Sequence, residues 1–334
     1  MTPTVLGLHH VTAICSEPQR NLDFYAGVLG LRLVKRTVNF DDPRTHHFYF
    51  GDAAGRPGSV ITFFAWPDGR GGRQGTGQAA AVALSVVPNA IGYWVERLGA
   101  RGVRYERPAR RLGEQAIAFR DPDGLMLELV AHERAAERGP AAAWPGAPVP
   151  AEHAVRGLHG VALWEDGNDA TAGVLAEVLG MRPAAEAESV TRYEAGAGGP
   201  GAYVDLRNVA GFWPGTEGTG VVHHVAYRVA DDAALAELRE RVVARGLVAT
   251  PPIDRLYFRS VYFREPGGVL FELATDAPGF AVDEPADQLG EHFVLPPWLE
   301  GMRAELEAQL PRVRPPHENV PVAEGTSVFR QPTP

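Results

Sequence analysis

The chain of 334 residues contains one cysteine, Cys15, and one lysine, Lys35. A single cysteine excludes a disulfide within the chain and is typical of proteins from a reducing compartment. No run of about 18 apolar residues occurs, which argues against a membrane-spanning helix. The first ten residues lack the basic segment and the apolar stretch of a secretion signal. We therefore expect a cytoplasmic protein.

Positive charge is also scarce relative to negative charge. The chain has 32 Lys and Arg against 41 Asp and Glu, a formal net charge of -9, and no basic cluster. This balance argues against nucleic acid and anionic membranes as partners. A hydrophobic content of 45% and a charged content of 22% are those of a globular protein, and the length allows two domains.

Internal repeats show how the chain is organised. Three pairs of segments recur: GLHHV at 7–11 and GLHGV at 157–161, VLGLR at 28–32 and VLGMR at 178–182, RDPDGLMLEL at 120–129 and REPGGVLFEL at 264–273. Repetition at a nearly constant offset is typical of a duplicated domain. The predicted parts are an N-terminal domain 1–136 with modules at about 5–68 and 76–133, a Pro/Ala-rich linker 137–155, a C-terminal domain 156–280, and an extension 281–334.

Each half divides again into two modules in which one strand and one helix precede three strands. In the first module, Ser16 is predicted to cap a helix that has Pro18 in its first turn and ends at Gly30. The turn signals DDPR (41–44) and GDAAGRPG (51–58) then separate three strands. The pattern predicts an α+β protein of four βαβββ modules.

The order of the modules, together with five segments, resembles the vicinal oxygen chelate superfamily, which includes glyoxalase I, bleomycin-resistance proteins and extradiol dioxygenases. The segments are LHHVT at 8–12, LVKRTVNF at 33–40, VPAEHAVRG at 149–157, HHVAYRV at 223–229 and DRLYFRSVYFREPGGVLFE at 254–272. Within this superfamily the chain is most like hydroquinone-type ring-cleaving dioxygenases. The resemblance implies two duplicated glyoxalase-like domains, with cup-shaped mixed sheets, helices outside and a metal or ligand inside.

Equivalent positions in the four modules locate a candidate metal site. The opening strands offer His10, Ala81, Gly160 and His224, and the sixth residue after the proline of each closing segment is Phe63, Glu128, Leu206 or Glu272. The first and fourth modules together complete two histidines and one carboxylate, the ligand set of many Fe(II) oxygenases. We predict His10, His224 and Glu272 as ligands of one Fe(II), with Mn(II) as the alternative metal. The second and third modules would pair around a site without metal, and Glu128 is expected in an ion pair or hydrogen bond.

Strand alternation selects the second histidine of each pair. His10 and Thr12 share one face of their strand, and His9, Val11 and Ala13 share the other. A third His-His pair, at 46–47, is interpreted as an ordinary surface or core pair.

The resemblance also implies a reaction and the residues that assist it. The substrate would be a small aromatic diol, a hydroquinone that carries chlorine or alkyl groups in some cases, with O2 as co-substrate. His9 or His223 would move a phenolic proton, Arg255 would stabilise an anion and Tyr262 would bind oxygen, with Thr12 beside them. His9 faces away from the metal by alternation, so its role stays open.

Two alternatives remain at this point. One is a catechol-type extradiol dioxygenase, although such enzymes usually take both histidines from the C-terminal half. The other is a non-enzymatic binding protein for an aromatic drug or antibiotic, of the bleomycin-resistance type, which needs no catalytic metal.

The C-terminal extension is predicted to contain a short helix. Pro297 would begin it, and Trp298, Met302, Leu306 and Leu310 would form one apolar stripe. Such a helix packs on a sheet or on a second subunit, so the sequence does not decide between a monomer and a homo-oligomer. It has no basic face for a membrane surface. From Leu310 onward we expect an extended or disordered tail.

Overall fold

The computed structural model describes residues 4–139, 144 and 146–314. Within these residues, strands of the first and fourth modules form one eight-stranded sheet and strands of the second and third modules form another. The first sheet contains β1 Leu8–Cys15, β2 Arg32–Asn39, β3 Asp42–Gly51, β4 Val60–Ala65, β13 Val222–Val229, β14 Ile253–Asp254, β15 Arg259–Arg264 and β16 Leu270–Thr275. The second contains β5 Gln78–Val86, β6 Ala109–Arg111, β7 Glu114–Arg120, β8 Met126–Ala131, β9 Leu158–Glu165, β10 Arg182–Ala187, β11 Val190–Glu194 and β12 Tyr203–Asn208.

The opening strands of the modules join the two halves of each sheet. The order is β14-β15-β16-β13-β1-β4-β3-β2 in the first sheet and β10-β11-β12-β9-β5-β8-β7-β6 in the second. The central pairs, β1 with β13 and β5 with β9, are antiparallel, whereas each opening strand pairs in parallel with the closing strand of its own module. Both sheets curl into half-barrels, which confirms the predicted fold class and the pairing of modules.

The repeated glycine before β1 and β9 has a steric reason. Gly7 has φ +146°, and a Cβ there would lie 2.8 Å from the carbonyl oxygen of Gly201. Gly157, its equivalent, has φ +97°, and a Cβ there would lie 2.9 Å from the carbonyl oxygen of Gly58. Glycine fits both the positive φ and the close approach of backbone.

The described residues contain five α-helices together with shorter π-helical and 3₁₀ segments. The α-helices are α1 Pro18–Leu22, α2 Ile91–Ala100, α3 Asp169–Gly173, α4 Asp232–Ala244 and α5 Arg303–Gln309. A π-helix continues α1 over Asp23–Val28 and α3 over Val174–Val178. The 3₁₀ turns are Pro88–Ala90 before α2, Glu133–Arg138, Phe280–Val282, and Glu300–Met302 before α5. Val11 and Ala13 of β1 belong to one apolar core with Leu22 and Phe24. The other face of β1 carries His10 toward a cavity.

Helices of different modules contact each other directly. The guanidinium of Arg97 in α2 donates to the carbonyls of Gly27 and Val28, at 2.8 and 2.7 Å. Arg241 in α4 donates to the carbonyl of Glu177 at 2.6 Å. The apolar core extends over both sheets and all four modules. No helix of the described residues is long and apolar enough to cross a membrane.

Two local predictions in the first module are wrong. Ser16 does not cap α1: the N-cap is Glu17, without a side-chain cap bond, and the backbone amide of Ser16 donates to Asp123 at 3.0 Å. The DDPR segment is not a turn after a strand, because β3 already begins at Asp42. The connection between β2 and β3 consists of Phe40 and Asp41 alone.

The predicted stripe of the C-terminal helix is also wrong in part. The helix begins at Arg303 and not at Pro297, and a 3₁₀ turn precedes it. Leu306 and Leu310 are buried, whereas Trp298 and Met302 are exposed. Trp298 lies in the turn before Glu300 and Met302 ends the 3₁₀ segment, so neither continues the α-helical spacing of the later residues. The rest of the predicted tail, 315–334, and positions 140–143 and 145 of the predicted linker lie outside the described residues. The domain boundaries stay predictions.

Candidate metal centre

Strand register brings the three predicted ligands to one place. His10 on β1 pairs with Ala226 on β13, and Ala226 pairs in turn with Glu272 on β16. His224 lies two positions before Ala226 on the same face of β13. Ala226 is fully buried, and its single methyl group leaves the space between the three longer side chains free.

The ligand atoms converge. His10 Nε2 lies 3.3 Å from His224 Nε2 and 3.2 Å from Glu272 Oε2, and His224 Nε2 lies 2.9 Å from the same oxygen. Two ligand atoms at about 2.1 Å from one ion, at right angles, are about 3 Å apart. The spacing therefore fits three neighbouring positions around one divalent ion. The other coordination positions of such an ion would remain free for ligands that do not belong to the chain.

The carboxylate of Glu272 has the environment of a metal ligand. Its side chain is fully buried, and Oε2 has no hydrogen-bond partner of suitable geometry despite the two imidazoles beside it. Burial by itself would raise the pKa of Glu272, but the electrostatic effect of His10 and His224 outweighs it and holds the pKa well below its usual range. Burial lowers the pKa of His224. An ionised carboxylate beside an imidazole with a lowered pKa fits the deprotonated ligands that a metal requires.

A hydrogen-bond chain explains why two histidines stand side by side on β1. His9 Nε2 lies 3.2 Å from the carbonyl oxygen of Thr275, which can only accept, so this nitrogen carries the proton. Burial and the neighbouring His10 lower the pKa of His9 to about 3, so His9 is neutral and its Nδ1 accepts. His10 Nδ1 lies 2.9 Å from that acceptor and must donate. His10 Nε2 therefore carries no proton, and its lone pair is free to bind a metal in the space shared with His224 and Glu272.

The second His-His pair repeats half of this arrangement. His223 Nδ1 lies 2.8 Å from His224 Nδ1. Burial, followed by the charge of His224, lowers the pKa of His223 to about 4. Unlike His9, His223 also lines the cavity. The first histidine of each pair thus orients the second, a function that alternation alone did not reveal.

Ser260 on β15 completes the set around the carboxylate. Its hydroxyl donates a short hydrogen bond to Glu272 Oε1, and both side chains are fully buried. The sequence analysis missed this residue. Its only signal is its place in the register, opposite Ala274 and two positions along β16 from Glu272.

A cavity of about 290 Å³ opens in front of His10 and His224. Its other lining residues are Thr12, Asn39, Phe40, Asp41, His47, Tyr49, Phe64, Trp66, His223, Arg255, Phe258, Tyr262 and Leu270. Of the five predicted assisting residues, Thr12, His223, Arg255 and Tyr262 line it, and His9 lies behind His10. Aromatic and aliphatic side chains supply most of the wall, as in pockets for small aromatic ligands.

Polar groups of the wall form two connected sets. Thr12 Oγ1 lies 2.8 Å from Thr62 Oγ1, and His47 Nε2 lies 2.8 Å from the same hydroxyl. Burial and the charge of His10 lower the pKa of His47 well below its usual range. His47 lines the cavity, so the interpretation of the 46–47 pair as an ordinary surface or core pair missed this residue.

The second polar set consists of Arg255, Asp41 and Tyr262. The guanidinium of Arg255 forms two hydrogen bonds with Asp41, at 2.9 and 2.8 Å, and its Nε lies 3.3 Å from the Tyr262 hydroxyl. Burial raises the pKa of Tyr262 far above neutrality, with the charge of Glu272 adding to it, so the phenol stays protonated and able to donate. Its ring contacts His224 edge to face, at 5.7 Å between centroids.

The second sheet contains another group that could hold a metal, Glu114, His132 and His159. The guanidinium of Arg192 lies 2.6 Å from Glu114 Oε2, and His159 Nε2 lies 3.1 Å from the same oxygen. A cation already neutralises this carboxylate, which makes the group less suited to a metal. Glu128 forms an ion pair with Arg111, as predicted.

Comparison with known proteins identifies the family. The Glyoxalase/Bleomycin resistance protein/Dioxygenase superfamily profile matches residues 7–129 and 144–273, and the chain belongs to this superfamily. It is 43% identical to a Bacillus subtilis protein named "Putative ring-cleaving dioxygenase MhqO", over 93% of this chain and 97% of that protein. It is 34% identical to a Sphingobium indicum protein named "Chlorohydroquinone/hydroquinone 1,2-dioxygenase", over 90% and 95%.

Solved structures agree with the fold. A crystal structure described as a "putative dioxygenase" from Bacillus subtilis has a TM-score of 0.88 and 40% identity, and it covers 94% of this chain and 99% of that one. Glyoxalase I from Zea mays has a TM-score of 0.60 at 15% identity, with 81% and 92% covered, which shows likeness of fold alone.

Proposed function

We propose that the protein is an Fe(II)-dependent ring-cleaving dioxygenase that acts on hydroquinones, with Mn(II) as the alternative metal. The observation that carries this proposal is the convergence of His10 Nε2, His224 Nε2 and Glu272 Oε2, within 3.3 Å of one another, beside a cavity lined by aromatic side chains. Two neutral imidazoles and one carboxylate form the set that, with Fe(II) bound, supports O2 activation. The names of relatives that match nearly the whole chain support the same reaction class.

The cavity suits a single aromatic ring. Its volume of about 290 Å³ exceeds the roughly 150 Å³ that is known to hold benzene. Phe64, Trp66, Phe258 and Leu270 would contact the faces and edges of the ring. These side chains also exclude water, which strengthens every polar contact within the site. Chlorine or alkyl substituents are compatible with such a wall.

A para-diol needs a partner on the protein that a catechol does not need. The two hydroxyls of a hydroquinone lie at opposite ends of the ring, so the side chains of one wall can hold only one of them beside the triad. The distal hydroxyl loses its proton as charge moves out of the ring, and the oxygen left behind then requires a hydrogen-bond donor. His223 is neutral at pH 7 and lines the cavity. With His224 holding a metal through Nε2, the Nδ1 of His224 donates to the Nδ1 of His223, so the Nε2 of His223 carries a proton. His223 would therefore donate a hydrogen bond to the distal oxygen, while the proton of the distal hydroxyl leaves to solvent, in place of the proton-accepting role that the resemblance implies.

Other wall residues would stabilise the charge that develops. The guanidinium of Arg255, 15% exposed, would steady an anionic oxygen of the ring, and the protonated Tyr262 would donate a hydrogen bond to bound oxygen. Thr12 would support the reacting atoms from the other side through its contact with Thr62. His9 would act by orienting His10, since it lies away from the cavity.

Oxygen uptake by protein purified and loaded with Fe(II) under anaerobic conditions tests this function. We expect rapid uptake with hydroquinone and its chlorinated or methylated forms, slow uptake with catechols, and about one iron bound per chain. A preference for catechols would replace the proposal with the extradiol alternative. Tight binding of aromatic compounds without iron and without oxygen uptake would favour the non-enzymatic alternative.

A further inference from the structure

The cation of the cavity wall is already paired with a carboxylate of the chain itself. Arg255 is the one Lys or Arg among the described residues that line the cavity. Both terminal nitrogens of its guanidinium contact the carboxylate of Asp41, and its Nε faces Tyr262. This is the bidentate geometry in which arginine recognises carboxylates in general. The carboxylate-binding face of Arg255 is therefore occupied before a substrate enters.

The two partners differ in their exposure to solvent. The side chain of Arg255 is 15% exposed, whereas that of Asp41 is 68% exposed. The guanidinium also lies 5.2 Å from the centre of the Tyr262 ring, which fixes its position in the wall. Asp41 thus reaches the arginine from the rim. A carboxylate carried by a ligand would have to take the same place from inside the cavity.

The chain holds Asp41 in position to compete. Asp41 belongs to the two-residue connection between β2 and β3, and its backbone amide donates to the side chain of Asn39 at 3.1 Å. The neighbouring Phe40 contacts Trp298 of the C-terminal extension, at 5.6 Å between ring centroids. A group tethered in this way has an effective concentration on the order of millimolar or more. A free carboxylate at lower concentration does not displace it.

We infer that Asp41 is a specificity residue, which occupies the carboxylate-binding face of Arg255 and restricts the cavity to aromatic diols without a ring carboxylate. The inference rests on the proposed function for the identity of the substrate ring. A carboxylated diol entering the cavity loses the hydration of its carboxylate and finds the bidentate face of Arg255 occupied by Asp41, which costs free energy that a neutral diol does not lose. Removing the charge of Asp41 frees Arg255 to bind the ring carboxylate.

The test compares hydroquinone with 2,5-dihydroxybenzoate, the same para-diol with one carboxylate added, in the wild type and in Asp41→Asn. The control is Asp232→Asn, which removes an aspartate that is 61% exposed and paired with Arg259 outside the cavity lining. In Asp41→Asn we expect the ratio of kcat/KM for 2,5-dihydroxybenzoate to that for hydroquinone to rise about tenfold or more, the effect of one charge-assisted hydrogen bond. The control should keep the wild-type ratio.

Equilibrium binding of 2,5-dihydroxybenzoate without oxygen separates this inference from the proposed function. Asp41→Asn should bind it about tenfold or more tightly than the wild type, and the double variant Asp41→Asn with Arg255→Gln should lose that gain. Equal binding by wild type and Asp41→Asn would overturn the inference, as would a wild type that cleaves both compounds equally well. If the wild type cleaves neither compound, the proposed function fails, and the binding comparison still decides the role of Asp41.

Discussion

Replacing Ser260 by alanine should weaken metal binding without disturbing the three ligands. The change removes the hydroxyl that donates to Glu272 Oε1. Both side chains are fully buried, so water cannot take the place of the hydroxyl. A hydrogen bond to a charged group contributes about 1.5–3 kcal/mol, which corresponds to a factor of about 10 to 150 in affinity at about 1.4 kcal/mol per tenfold. Changes to groups that orient metal ligands have comparable effects, about 10- to 100-fold.

The assay is anaerobic titration of metal-free protein with Fe(II) or Mn(II) in competition with a chelator. Ser85→Ala is the matched control, because Ser85 is equally buried and its hydroxyl lies 2.9 Å from His132 Nε2 in the second sheet. We expect weaker metal binding in Ser260→Ala and wild-type binding in Ser85→Ala. Wild-type affinity in Ser260→Ala, or an equal loss in both variants, would refute the reasoning that Ser260 supports the ligand carboxylate.

Three further predictions follow from the same contacts. Glu272→Gln should lower metal affinity by about 100-fold or more, because a neutral amide replaces the buried carboxylate, and metal content after dialysis measures this. His9→Ala and His223→Ala should both weaken metal binding, because each histidine orients the neighbouring ligand through its Nδ1. At saturating Fe(II), His223→Ala should also depress hydroquinone cleavage by about 100-fold or more, and wild-type turnover in both variants would contradict the para-diol mechanism. Burial, together with Glu265, raises the pKa of Glu165 to about 8 from 4.5, so the folded state binds more protons than the unfolded state between these values and stability falls as pH rises through this window. Glu165→Gln should therefore increase the free energy of unfolding by about 1–3 kcal/mol at pH 8, with less effect at pH 5. Denaturant titration at both pH values measures this, and equal stability of the variant and the wild type at pH 8 would contradict it.

The fold was predictable because the chain repeats itself. GLHHV and its copies mark the opening strands. The prediction that the first and fourth modules together form a metal site used only the positions of His10, His224 and Glu272. Their convergence depends on which strands are neighbours, and β1 pairs with β13. Duplication identified the equivalent positions, and the ligand set indicated that the first module pairs with the fourth.

The missed residues have a different origin. Ser260, His47 and Asp41 come from a neighbouring strand, from β3 and from the connection between β2 and β3. Their distance from the metal ligands depends on how strongly the sheet curls, and a linear pattern contains no measure of curl. The role of His9 was missed for another reason: strand alternation describes where a side chain points, whereas the hydrogen bond to His10 runs between ring nitrogens of adjacent residues.

The most direct test of the account is the fate of isotopically labelled oxygen. Fe(II)-loaded protein would be given hydroquinone under ¹⁸O2, with mass spectrometry of the product and parallel measurement of oxygen uptake. The account predicts one O2 consumed per hydroquinone and an open-chain product heavier than the substrate by one O2 molecule, with label in its new carboxylate. Benzoquinone without label, or hydroquinone recovered unchanged, would contradict the claim that this site cleaves aromatic rings.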